Sequence, residues 1–158
     1  MTNFEPKKLN KNWTIDDSIS VYGINKWGDK YFSINSHGNI SITPNRESKK
    51  TIDLFKLVKE IKSREINLPL IIRFNDILKE RITELNNAFL KAIETYDYKN
   101  IYQGVFPIKC NQQKNVLEKI IEYGDHWNFG LEVGSKSELL IGLSILENQK
   151  SLLICNGY

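Results

Sequence analysis

Hydrophobic positions change rhythm near residue 50. Before it, short β-branched and aromatic pieces at Ile19 to Tyr22, Tyr31 to Ile34 and Asn39 to Ile42 are divided by Gly28 and Asp29 and by Ser36 to Gly38. Brief strands broken by turn residues predict a small antiparallel meander. Residues 1 to 12 are polar and are expected to fray at their start. Pro44 to Lys50 reads as a polar linker, which places a domain boundary between residues 48 and 49.

Beyond the linker, helical and extended patterns alternate. Leu54, Phe55, Leu57, Val58 and Ile61 mark a helix that Thr51 can cap, and Leu68 to Phe74 predicts a strand. An amphipathic helix follows from about Asp76 to Tyr96, capped by Asn75, with Ile77, Leu78, Ile82, Leu85, Phe89 and Ile93 on its buried side. Tyr102 to Lys109 is the next strand, Asn115 to Tyr123 a helix stopped by Gly124, and Asn128 to Val133 another strand. Ser135 to Leu146 is a further helix, and Ser151 to Cys155 a last strand.

Strands and helices alternating at this spacing predict parallel βαβ units with right-handed crossovers. The fold class expected is α/β, a partial (β/α)8 TIM-type barrel preceded by a small antiparallel β segment. The boundaries are 1–48 for the β-rich segment and linker, and 49–158 for the first part of the barrel. Three or four strands cannot close an eight-stranded barrel, and the last one is followed by no covering helix. An open edge, marginal stability and an interrupted chain are therefore expected.

Composition narrows the function classes. The 158 residues are 41% hydrophobic and 11% aromatic, enough for one core but short of the about 250 residues of a full barrel. Basic and acidic residues, 22 against 19, are interspersed, so the net charge of +3 gives no face for a nucleic acid. Cys110 and Cys155 fit no disulfide framework or zinc spacing, and a reducing, cytoplasmic setting is expected. No stretch approaches the roughly 20 apolar residues of a membrane span, and the amino terminus lacks the apolar core of a secretion signal.

Lys109 is the most informative basic residue. It ends an apolar, β-branched run, where a barrel strand points its last residue into the active-site mouth. An amine stripped of hydration there is a nucleophile for a carbonyl, the first requirement of Schiff-base chemistry. The alternative is a solvated or paired lysine, and Pro107 argues for a sheet edge or bulge. Glu132, near the end of the following strand, can face the same mouth as a carboxylate for a cofactor, or form an ion pair with a lysine such as Lys109. Glu138 completes a capping box with Ser135, which by itself accounts for it. Arg73 reads as a rim ion pair, His37 and His126 as structural, and Cys110, opposite Lys109 on a strand, as packing. No glycine-rich phosphate loop is present.

As a set, four stretches carry a resemblance: Tyr22 to Asn35, Gly104 to Gln113, Phe129 to Leu139, and Leu153 to Tyr158. In this order they resemble the amino-terminal part of the biosynthetic arginine decarboxylases, from about Trp13 to the last residue. The Lys109-Cys110-Asn111 pattern is shared more widely, with ornithine and diaminopimelate decarboxylases and alanine racemase.

The resemblance implies that Lys109 forms the Schiff base with pyridoxal 5'-phosphate, that Glu132 lies near this cofactor, and that Glu138 shapes the catalytic site beyond its capping role. It implies conversion of L-arginine to agmatine and carbon dioxide in polyamine synthesis, homo-oligomers, and magnesium in bacterial forms. The family continues past the equivalent of Tyr158 with phosphate-binding glycines, the acid that holds the pyridine nitrogen and a β domain. The isolated chain is accordingly expected to have little or no activity. A decarboxylase for another basic amino acid, and a non-catalytic remnant that associates with a full-length enzyme, are the competing readings.

Overall fold

The computed structural model describes residues 12–47 and 50–157. The expected frayed start, apart from residue 12, lies outside them. The chain divides into two compact units, Met1–Arg73 and Phe74–Tyr158.

In the first unit, α1 (Ile15–Tyr22) and α2 (Ile24–Trp27) precede a three-stranded antiparallel sheet of β1 (Phe32–Ile34), β2 (Ile40–Ile42) and β3 (Ile52–Asp53), followed by α3 (Leu54–Ser63). The expected strand at Ile19 to Tyr22 is thus a helix. A capping box decides it: the Thr14 side chain accepts the Asp17 N–H at 3.2 Å, and the Asp17 carboxylate accepts the Thr14 N–H at 2.9 Å. Gly23, in the left-handed region at φ 61°, ends it. The meander survives because β3 supplies the third strand.

Asp53 ties this sheet together. Its Oδ2 accepts Asn35 Nδ2 and Asn39 Nδ2, each at 2.9 Å, and its Oδ1 caps α3 through the Lys56 N–H at 3.0 Å. It therefore replaces Thr51 as the cap. The hydrogen bond from Asn39, then those from Lys56 and Asn35, hold its carboxyl at about 2, against an ordinary 3.8.

The run from Leu68 to Phe74 pairs with no strand among the described residues, contrary to expectation. A strand needs a neighbour for its backbone hydrogen bonds, and here Ile71 is 76% exposed.

The second unit holds α4 (Asn75–Thr95), β4 (Val105–Pro107), α5 (Lys114–Gly124), β5 (Gly130–Val133), α6 (Lys136–Ile145) and β6 (Leu153–Cys155). Its three strands are parallel in the order β4-β5-β6, with Pro107 opposite Glu132 and Glu132 opposite Ile154. This is the βαβ arrangement expected. Every residue of β5 is buried, as a central strand between covering helices requires. Ile108, Leu117, Ile121, Leu131 and Val133 form the main core, and Ile82, Ile120 and Phe129 a second cluster where α4 meets α5. Only part of the expected stripe on α4 is covered: Ile82 is buried, while Leu85 and Phe89 remain exposed.

Gly124 does not stop α5. It belongs to the helix, which passes into a 3-10 turn at Asp125–Trp127 and ends where Asn128 adopts φ 51°.

Candidate active site at the ends of the parallel strands

Lys109 stands just past β4, inside a single 3-10 turn at Ile108–Cys110 rather than on the strand. Pro107 is the last residue of β4 and, having no N–H to leave unpaired, suits an edge strand of the described sheet. Ile108 is fully buried and anchors the turn in the core. With about three residues per turn, Lys109 and Cys110 then both project outward. Cys110 is exposed and free, so the packing role expected for it does not hold, and Cys155 is exposed and free as well.

The expected apolar surround of the amine is not supplied by this chain's described residues, for the Lys109 side chain is 62% exposed. Glu132 is its opposite, a carboxylate on the central strand with 11% of its side chain exposed. Its Oε1 lies 4.0 Å from Lys109 Nζ, which sets the two groups side by side beyond the Pro107–Glu132 pairing. The same oxygen accepts Asn156 Nδ2 at 3.0 Å.

Glu138 is also buried, and half of the expected capping box forms. The Ser135 hydroxyl accepts the Glu138 N–H at 3.2 Å, but the carboxylate returns to the Gly134 N–H at 2.7 Å instead of to Ser135. Gln112 Nε2 approaches its other oxygen at 3.4 Å. Glu138 thus links the loop after β4, the end of β5 and the start of α6. A recess of about 150 Å³ lined by Val133, Gly134, Ser135, Lys136, Leu139 and neighbouring residues opens at the same ends of the strands.

Two further residues act here, Asn156 and Gln112, and neither was singled out from the sequence. Both lie within conspicuous stretches, yet an amide side chain has no signature until its partner is placed. Arg73 and His37 fall in the other unit, and His126 packs edge-on against Trp127 at 5.3 Å, away from these groups. A larger recess of about 450 Å³ lies at the carboxyl ends of α5 and α6. Its acids Glu118 and Glu122 pair with Lys114 and Lys119 at 3.6 and 2.5 Å, and it takes no part in the lysine site. Among the described residues, no group of three or more His, Cys, Asp and Glu side chains could hold a metal ion. No helix there is long and apolar enough to cross a membrane.

No family model matches the chain. It is 87% identical over all 158 residues to the biosynthetic arginine decarboxylase of Prochlorococcus marinus strain MIT 9515, and 85% identical to that of P. marinus subsp. pastoris strain CCMP1986. At 51%, the protein of strain MIT 9303 also matches over the whole chain. In each case the chain spans 24% of the relative's length. The crystal structure of the biosynthetic arginine decarboxylase of Campylobacter jejuni superposes with a TM-score of 0.77 at 31% identity, covering 87% of this chain and 22% of that one. In sequence along its whole length, and in fold over most of it, the chain is similar to the biosynthetic arginine decarboxylases and spans about a quarter of their length.

Proposed function

We propose that this chain is the part of an arginine decarboxylase that supplies the reactive lysine, acting within a longer polypeptide that converts L-arginine to agmatine and carbon dioxide. Its parallel strands would be the opening strands of a (β/α)8 barrel. The observation that carries this reading is the match to decarboxylases over the whole chain, together with Lys109 standing beside buried Glu132 at the carboxyl ends of the strands.

The donor set fits the aldehyde end of pyridoxal 5'-phosphate. Lys109 offers a primary amine that an incoming aldehyde can reach, since its side chain is largely exposed. When bound, the cofactor supplies an electron sink for the charge left by departing carbon dioxide. Lys109 would hold it covalently, and Glu132, fixed by Asn156, would set a negative charge beside that amine. Glu138 would keep the loops around the mouth in register through Gly134 and Gln112. For magnesium the described residues form no ligand cluster, so none is assigned to it.

Incubation of the whole, longer polypeptide with pyridoxal 5'-phosphate should give the visible absorbance of a lysine Schiff base, and Lys109→Ala should abolish it. Persistence of the colour in that variant would overturn the assignment.

A further inference from the structure

We propose that Asn156 is a positioning residue that keeps the Glu132 carboxylate from closing on Lys109, so that the amine stays available to react; this rests on the role given to Lys109 above. Both groups address one atom. Asn156 Nδ2 donates to Glu132 Oε1 at 3.0 Å, and Lys109 Nζ stands 4.0 Å from that same oxygen. A closed ammonium–carboxylate bond measures about 2.7–2.9 Å, so the pair is held roughly 1 Å open.

Burial makes the amide matter. With 11% of its side chain exposed, Glu132 has little water to replace a lost donor. A buried carboxylate deprived of one turns to the nearest cation. That cation is Lys109, whose exposed side chain is free to swing toward it.

The backbone brings Asn156 to this place. Its N–H donates to the Val133 carbonyl at 2.8 Å, which continues the β5–β6 ladder past the last strand residue. The next residue, Gly157, then lies against Gly134, where an added Cβ would come within 2.5 Å of the Gly134 oxygen. Only glycine allows that approach, and it brings the neighbouring Asn156 amide down onto Glu132.

The test follows the reactivity of Lys109 in the 158-residue chain, without recourse to turnover. The chain is treated with pyridoxal 5'-phosphate and quenched with borohydride at intervals. Amine and aldehyde condense with loss of water, and hydride from borohydride reduces the carbon–nitrogen double bond to a secondary amine that peptide mass spectrometry counts at each lysine. Asn156→Ala should slow labelling of Lys109 about five-fold relative to the other lysines of the same sample. In a Glu132→Gln background the same change should alter it by less than about 1.5-fold. Asn156→Ser, too short to reach Oε1, should act like Asn156→Ala and serves if that variant fails a thermal-melt check. Equal slowing in both backgrounds, no slowing or acceleration overturns the proposal and leaves the cofactor reading standing. If wild-type Lys109 labels no faster than the other lysines, the amine is not held available and the proposal falls, while the cofactor reading is decided separately by the absorbance of the longer polypeptide and its Lys109→Ala variant.

Discussion

The Glu138 carboxylate accepts the N–H of Gly134 at 2.7 Å, one residue ahead of the Ser135 cap. A side chain on the first turn of α6 thereby fixes the chain as it leaves β5. Glu138→Ala should strand that partly buried N–H and destabilise the second unit by about 1–3 kcal/mol in urea denaturation. Glu138→Gln keeps an acceptor and should lose less than half as much. Equal losses would show that the bond to Gly134 contributes little.

Asp53 makes the first unit sensitive to acid. Its carboxyl titrates at about 2 in the folded chain, against an ordinary 3.8, because Asn39, Lys56 and Asn35 all donate to it. A lowered folded value means that the stabilisation is present above 3.8 and is lost as pH falls toward 2. Melting followed by circular dichroism should show a decline across that window, and Asp53→Asn should flatten it while lowering the plateau above it. An unchanged slope in the variant would assign the acid response to other carboxylates.

Phe129 leaves no room at Gly104. A Cβ there would lie 2.2 Å from Phe129 Cε2. Gly104→Ala should cost about 1–3 kcal/mol, the usual range for overpacking. Phe129→Leu in the same chain should recover part of that loss, a non-additivity that a double-mutant cycle in urea measures.

Cys110 and Cys155 should react with a thiol reagent in the native chain at rates close to those in denaturant, since both are exposed. Protection of Cys110 until unfolding would mean that the turn carrying it packs as a strand would.

Parts of this architecture were legible in the residues. Period and spacing gave α4, α5 and α6 and the parallel strands between them, because burial of one helical face or of a whole strand leaves a compositional trace. The short element at Ile19 to Tyr22 misled, since a four-residue piece with three apolar positions fits either period, and the Thr14 to Asp17 capping box was the signal that separated them. Leu68 to Phe74 misled for another reason. A strand is defined by its partner, and among the described residues that run has none.

The site divides along the same line. The sequence by itself determined that Lys109 and Glu132 arise from neighbouring parallel units at the same ends of their strands, and strand order follows from such alternation. Only the tertiary structure decided that β4 stops at Pro107, that Lys109 sits on a turn anchored by Ile108, and that one Glu132 oxygen lies between Lys109 and Asn156. The physical reason is range: periodicity reports which side of an element is buried, whereas a hydrogen bond spanning 24 positions exists only once register and loop closure have set its distance.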